Sequence, residues 1–179
     1  MQYDSRKLLP GEVFFAFPGA RVDGHAFVPA ALRDGAAAIV SERAAPSGLQ
    51  ARWARVSHGR RALALAGLRF YERPDRAISV TAVTGTNGKT STVHLVDALL
   101  RSSGKTTAML GTIEQRIGDR RAPAVNTTPE SLDIVRSLAE LRRIGGSHAT
   151  MEASSHALAL ERIYGIEFHT AVFTNLSPE

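Results

Sequence analysis

The run AVTGTNGKTST, from Ala82 to Thr92, joins an apolar β-branched segment, ISVTAVTG (78–85), to a helical one, KTSTVHLVDALLRSSG (89–104). A strand feeding a glycine turn and then a helix aims backbone N–H groups and the positive helix end at one place, which suits a phosphate group. In such a loop Lys89 reaches the β- and γ-phosphates and the Thr90 hydroxyl ligates Mg²⁺. Gly88 permits close approach, and Asn87 holds the turn. The spacing is not that of the ordinary Walker loop. That pattern puts its first glycine five residues before the last, where this chain has Val83. The glycine stands at Gly85 instead, which gives the shorter form GxxGKT.

Outward from this loop, the pattern repeats. TTAMLGT (106–112) reads as a strand, EQRIGDRRAP (114–123) as a polar excursion or small hairpin around Gly118-Asp119, and TPESLDIVRSLAELRRIGG (128–146) as a helix. That helix is expected to take Thr128 as its cap and Pro129 as its first residue. SHATMEASS (147–155) and HTAVFTN (169–175) read as further strands. The alternation of strand and helix is that of a mostly parallel sheet. Before Ile78 a smaller unit is expected: strand EVFFAF (12–17), a short helix in HAFVPAALRDG (25–35), strands AAAIVS (36–41) and ARWARVS (51–57), and a helix ending before Pro74. The fold class is therefore α/β: a small N-terminal α/β domain (1–76) followed by a partial P-loop, mostly parallel-sheet central domain (77–179). The boundary is expected within Arg73–Ser79.

In open α/β sheets the carboxyl ends of the strands line the ligand crevice. MEASSH (151–156) ends such a strand, so Glu152 is placed where a carboxylate holds Mg²⁺ beside a nucleotide. Ser154, Ser155 and His156 share that edge; helix capping explains them as well as a ligand does, and both readings stay open. NTTPE (126–130) opens a helix and offers donors to an anion, with Asn126 and Thr127 left unexplained by a plain cap. Asn175 ends a further strand on the same side, where its bland reading is a loop start. In the first unit Ser5, Arg6, Asp23, Gly24 and His25 surround the first strand. Arg162 reads as a surface residue or as a contact to an acidic substrate.

Composition narrows the classes. Hydrophobic residues make up 44% and charged residues 22%, as in a soluble globular chain, and no apolar run suits membrane insertion. MQYDSRKLLPG lacks a signal-peptide profile, and cysteine is absent; both fit a cytoplasmic protein. The formal charge of +5 lies wholly in residues 1–78, which hold 12 Lys/Arg against 7 Asp/Glu, while residues 79–179 hold 10 of each. These arginines are scattered and aromatics are few, so a solvated surface near a small anionic ligand is expected rather than a nucleic-acid partner.

The order GTNGKT, NTTPE, MEASSHALALER and FTNL resembles the Mur ligases, and within them the UDP-N-acetylmuramoyl-tripeptide synthetases, the MurE type. DSRKLLPGEVFFAFPG with DGHAFVPAALRDGAAAIV resembles the small uridine-binding domain of that subgroup and of the MurF type. GTNGKT alone is shared across the superfamily; TTPE with MEASSHALALER discriminates more sharply. The resemblance implies an ATP-dependent amide ligase of peptidoglycan synthesis. ATP phosphorylates the D-glutamate carboxylate of UDP-N-acetylmuramoyl-L-alanyl-D-glutamate, and the amine of meso-diaminopimelate or L-lysine attacks the acyl phosphate. By motif it implies ATP binding at Gly85, Thr86, Asn87, Gly88, Lys89, Thr90 and Ser91, and Mg²⁺ at Thr90 and Glu152. It implies substrate contacts at Ser5, Arg6, Asn126, Thr127, Thr128, Ser154 and Arg162, with His25, Ser155, His156 and Asn175 in support.

Departures from the pattern set further expectations. MurE-type chains continue past FTNL with a run resembling D-H-L-D-x-H; here Glu179 takes the aspartate position, after Pro178, and no histidine follows. A later carbamylated lysine and a C-terminal domain also have no counterpart. An incomplete, inactive fragment is therefore expected, self-associating through an exposed sheet edge. The competing readings are a MurF-type ligase, a P-loop switch or transport ATPase, and a non-catalytic module that binds the UDP-linked precursor.

Overall fold

The computed structural model describes residues 1–19, 22–49 and 52–177. Pro178 and Glu179, where the family's aspartate was expected, lie outside the described residues. The chain divides into two compact units, Met1–Leu63 and Ala64 onward.

In the first unit β1 (Val13–Ala16), β2 (Ala38–Ser41) and β3 (Trp53–Arg55) form a parallel sheet in the order β1-β2-β3. Phe14 and Ala16 on β1, Ile39 on β2, and Val28 and Ala31 on α1 (Val28–Arg33) make its core. The single helix expected over 25–35 is split. Gly24–Phe27 forms a 3₁₀ turn because the Asp23 carboxylate accepts from the His25 N–H, and α1 starts only afterwards, with Pro29 in its first turn. Proline costs nothing there, since that N–H has no helical partner in any case.

The second unit carries a six-stranded sheet. Its members are β4 (Ser79–Thr84), β5 (Thr107–Leu110), β6 (Glu114–Ile117), β7 (Arg120–Pro123), β8 (His148–Glu152) and β9 (Thr170–Phe173), in the order β7-β6-β5-β8-β4-β9. The strands β5, β8, β4 and β9 run parallel, while β6 and β7 form an antiparallel hairpin that turns at Gly118. The sheet is thus mixed, and the expected hairpin is real.

Period-two burial sends alternate side chains to opposite faces. Val80, Ala108, Leu110, Ala149 and Met151 pack with Ile134, Val135, Leu138 and Leu141 of α5 (Ser131–Arg143). Val83 and Met109 pack on the other face with Val93 of α4 (Lys89–Ser102). Leu132, Val135, Leu138 and Leu141 recur every three residues and are wholly buried, so each contributes roughly 1.5–3 kcal/mol. A side chain truncated there would leave a cavity as well.

The helix expected to end before Pro74 is α2 (Gly59–Phe70), and a short helix that was not expected, α3 (Pro74–Ala77), follows it. Glu72 and Arg73 between them adopt left-handed backbone, with φ of 57° and 52°, which ends α2. Helix α5 starts at Ser131 rather than Pro129, capped by the Glu130 carboxylate, which accepts from the Ser131 N–H. Thr128 is therefore not the cap, because its hydroxyl is engaged at the end of β8.

Candidate functional site

Because β4, β5, β8 and β9 are parallel, their carboxyl ends lie along one edge of the sheet, and the loops leaving them converge. The loop after β4, with Thr112, Thr127, Glu152 and Ser154, lines a cleft of about 770 Å³. Gly85 takes φ of 125° and Gly88, which caps α4, takes 84°. A side chain at Gly85 has no room: its Cβ would stand 2.2 Å from Thr174 Oγ1. Lys89 Nζ folds back over the loop and donates to the carbonyls of Gly85 (2.6 Å) and Thr86 (3.0 Å). Ser91 is exposed on the first turn of α4 and also lines the cleft.

Glu152 ends β8 with 1% of its surface exposed. Its carboxylate accepts from the Thr90 hydroxyl, 3.1 Å from each oxygen, and from the Thr112 N–H at 2.8 Å and hydroxyl at 3.2 Å. Among the described residues no lysine or arginine forms an ion pair with it. Burying a carboxylate among neutral donors is costly unless a cation arrives. The two hard oxygen donors, Glu152 carboxylate and Thr90 hydroxyl, suit Mg²⁺. Among the described residues no group of three or more His, Cys, Asp or Glu is placed to hold a metal.

The NTTPE segment is tied to the end of β8. The Thr128 hydroxyl donates to the Glu152 carbonyl at 2.8 Å and accepts from the Ser154 N–H at 3.1 Å. Ser154 caps α6 (Ser155–Ala159) by accepting from the Ala157 N–H, so the capping explanation holds for it while it still lines the cleft. The Thr127 hydroxyl is 3.1 Å from Thr112 Oγ1. Arg162 donates to the Thr128 carbonyl at 2.9 Å and lies 3.8 Å from the Glu130 carboxylate, its guanidinium largely buried. Asn126 is exposed beside this group; Ser155 and His156 are exposed at the start of α6, Ser155 alone facing the cleft.

The chain after β9 braces the glycine loop. The Thr174 hydroxyl is 2.6 Å from the Asn87 carbonyl, and Asn175 pairs with Asn87 through its side-chain amide. The Thr86 N–H donates to the Asn175 carbonyl at 2.9 Å.

Ser5, Arg6 and His25 belong to the first unit. Ser5 and Arg6 sit in a 3₁₀ turn capped by Asp4, whose carboxyl is held below its ordinary range chiefly by the Arg6 side chain. The Arg6 guanidinium remains exposed. His25 is buried with Nδ1 2.6 Å from Asp23 Oδ1, and its Nε2 has no hydrogen-bond partner. The backbone N–H of His25, then its ring, hold the Asp23 carboxyl low.

Sequence reasoning missed Thr112, Gly111 and Thr174. Thr112 follows β5 at the same strand-end edge as Lys89 and Glu152, so the strand-end rule was the signal that pointed to it. A Cβ on Gly111 would stand 2.7 Å from Glu152 Oε1, which shows how closely that backbone approaches the carboxylate.

The Mur ligase middle-domain family matches residues 83–179, and the Mur ligase family catalytic-domain model matches residues 1–71. Over 177 residues the chain is 56% identical to a UDP-N-acetylmuramoyl-L-alanyl-D-glutamate--2,6-diaminopimelate ligase of Solibacter usitatus, covering 99% of this chain and 36% of that protein. It is 43% identical to the Geobacillus thermodenitrificans protein of the same name, over 100% of this chain and 36% of that one. A solved structure of a ligase with that name superposes with a TM-score of 0.80 at 29% identity, covering 99% of this chain and 36% of its own. A MurF ligase of Thermotoga maritima, solved in complex with ADP, superposes at 0.60 and 26% identity, over 86% of this chain and 31% of its own. The chain thus spans about a third of the length of these relatives. Among the described residues no helix is long and apolar enough to cross a membrane.

Proposed function

This chain belongs to the Mur ligase family, with high-identity relatives of the MurE type, and from that premise we propose that it serves an ATP-dependent amide ligation in peptidoglycan precursor synthesis. The acceptor is UDP-N-acetylmuramoyl-L-alanyl-D-glutamate. The incoming amine belongs to a diamino acid, for which the relatives' names give 2,6-diaminopimelate. A carboxylate oxygen of the acceptor attacks the γ-phosphorus of ATP, the bond to the β-phosphate oxygen breaks, and ADP leaves. The amine nitrogen then attacks the acyl carbon of the acyl phosphate, releasing inorganic phosphate and a proton.

The single observation carrying this reading is the meeting of the GxxGKT loop with a buried carboxylate, Thr90 Oγ1 to Glu152, at the carboxyl edge of a parallel sheet. The backbone N–H groups of Gly88, Lys89 and Thr90 at the start of α4 and the Lys89 ammonium hold the triphosphate, with Ser91 at its rim. Thr90 and Glu152 hold Mg²⁺, which neutralises phosphate charge when bound. Two anions must meet in this reaction, so fixed cations and aligned N–H groups dominate its catalysis. Thr127 and Ser154, which line the cleft, face the acidic precursor with the exposed Asn126, Ser155 and His156 beside them, while Thr128 and Arg162, both largely buried, hold the NTTPE segment against the end of β8. Ser5 and Arg6, supported by His25, take its uridine end, and Asn175 fixes the loop. A cytoplasmic location accords with these substrates.

Calorimetric titration of the chain with Mg·ATP tests the reading. Binding is expected for the unmodified protein and loss of at least tenfold in affinity for Lys89→Ala, in line with the strength of charge-assisted contacts. Absence of Mg·ATP binding in the unmodified, folded chain overturns it.

A further inference from the structure

Four segments meet in one hydrogen-bonded series: Thr90 on α4, Glu152 on β8, Thr112 after β5 and Thr127 in the NTTPE segment. Thr112 is its centre. It contacts Glu152 with both its N–H and its hydroxyl, one to each carboxylate oxygen, and its Oγ1 stands 3.1 Å from Thr127 Oγ1. Gly111 lets this backbone come so close that no side chain fits between.

A carboxylate on a long side chain must lose rotamer freedom before it can serve as a fixed ligand. Among the described residues outside the phosphate loop helix, Thr112 alone gives the Glu152 carboxylate that restraint. Thr90 hydrogen-bonds to both oxygens, but that hydroxyl is the second candidate ligand and would turn from them to hold a metal. Thr112 would then be the partner left on Glu152.

We propose that Thr112 is a positioning residue for the nucleotide's divalent cation: it orients the Glu152 carboxylate toward Thr90 and links that orientation to Thr127 on the precursor side. The inference rests on the proposed Mg·ATP reading of the cleft and deepens it. Thr112 touches neither ATP nor Mg²⁺ in this scheme. It acts through Glu152, as outer-shell partners of metal ligands do, and loss of such partners costs about 10–100-fold in metal affinity. The two threonine hydroxyls lie within reach of one another, so a group that orders Thr127 also favours the Thr112 rotamer that serves Glu152.

The test compares the unmodified chain with Thr112→Val, Thr112→Ala and Thr112→Ser. ATP affinity is measured by calorimetry across a Mg²⁺ series and in chelator, and folding by circular dichroism and thermal melting. The readout is the gain in ATP affinity that Mg²⁺ confers, a ratio that a general packing role would not move. Val and Ala remove the hydroxyl but keep the N–H, and are expected to reduce that gain about tenfold while ATP binding in chelator is unchanged. Ser restores the hydroxyl and is expected to restore the gain. Ala avoids adding a methyl group where Val packs poorly, so one folded variant without the hydroxyl remains for comparison. An undiminished Mg²⁺ gain in either folded variant overturns the role of Thr112 while the Mg·ATP reading stands. An unmodified chain that binds ATP equally with and without Mg²⁺, or not at all, overturns that reading and this inference together.

Discussion

Asn175 and Asn87 exchange two hydrogen bonds, each 3.1 Å long: the Asn87 N–H donates to Asn175 Oδ1, and Asn175 Nδ2 donates to the Asn87 carbonyl. The pair ties the strand-end chain after β9 to the tip of the glycine loop. A loop that must present several N–H groups to one phosphate gains from such a brace, because it enters binding already ordered. Asn175→Ala removes both bonds and leaves the exposed site otherwise free of packing cost. Each neutral bond is worth about 0.5–1.5 kcal/mol, so a loss of about tenfold in Mg·ATP affinity is expected, with a melting temperature close to that of the parent. Equal affinities in calorimetry would remove Asn175 from the site.

Gly85 separates two reasons for a glycine. Its φ of 125° is unfavourable for any side chain, and its Cβ would meet Thr174 Oγ1 at 2.2 Å and the Asn175 carbonyl at 2.8 Å. Gly104 has φ of 80° with nothing within 4 Å of a Cβ. Gly104→Ala therefore costs only backbone strain, about 1–3 kcal/mol, whereas Gly85→Ala must also displace the brace. A larger fall in melting temperature for Gly85→Ala, together with lost nucleotide binding, is the expected outcome. Equal falls with binding intact would show that the close approach to Thr174 does not matter.

The parts of this site legible in the sequence are those that local pattern encodes. Lys89, Thr90 and Glu152 were readable because a glycine loop between strand and helix, and a carboxylate at a strand end, are both positional signals. The hairpin at Gly118-Asp119 was readable from its turn residues. Thr128 misled because an N-cap and a long-range hydroxyl contact require the same residue type, and a partner 24 residues away on Glu152 leaves no local trace. Thr112 lay within reach of the same strand-end rule, but its contact with Glu152, 40 residues away, left no local trace. The left-handed backbone at Glu72 and Arg73 carries no signature, since neither residue is of a type that favours it. Arg116 lay in a segment read as a polar excursion, although it is 2% exposed.

Arg116 and Asp97 form a buried ion pair that joins β6 to α4, and the Thr107 hydroxyl donates to Asp97 Oδ1 at 2.7 Å. Removing one partner strands the other charge in the interior, so Arg116→Ala is expected to destabilise the chain by about 3–5 kcal/mol. Replacing both, as Asp97→Leu with Arg116→Met, removes the stranded charge and is expected to recover much of that loss. Recovery is partial, because Thr107 then loses its acceptor. Urea denaturation of Arg116→Ala, and of Asp97→Leu and Arg116→Met singly and together, closes the cycle. A double variant no more stable than Arg116→Ala would contradict the ion-pair account.

His148 begins β8, and its imidazole is held below its ordinary pKa, first by burial and then by the positive charges of Lys105 and His169. The sign follows from linkage. A base that protonates less readily when folded makes the unfolded chain the better proton binder at low pH. Its contribution to stability is therefore complete above the unfolded value, about 6.5, and declines as pH falls through that value toward the lower folded one. Carboxylates add their own losses only below about pH 4.5. Urea midpoints are expected to fall between pH 7.5 and 5.5 for the parent chain, with a shallower fall for His148→Gln, which cannot take up a proton. His169→Gln, which removes one of the opposing charges, is expected to give an intermediate slope. Identical slopes for the parent and His148→Gln would assign the acid sensitivity of this unit to another group.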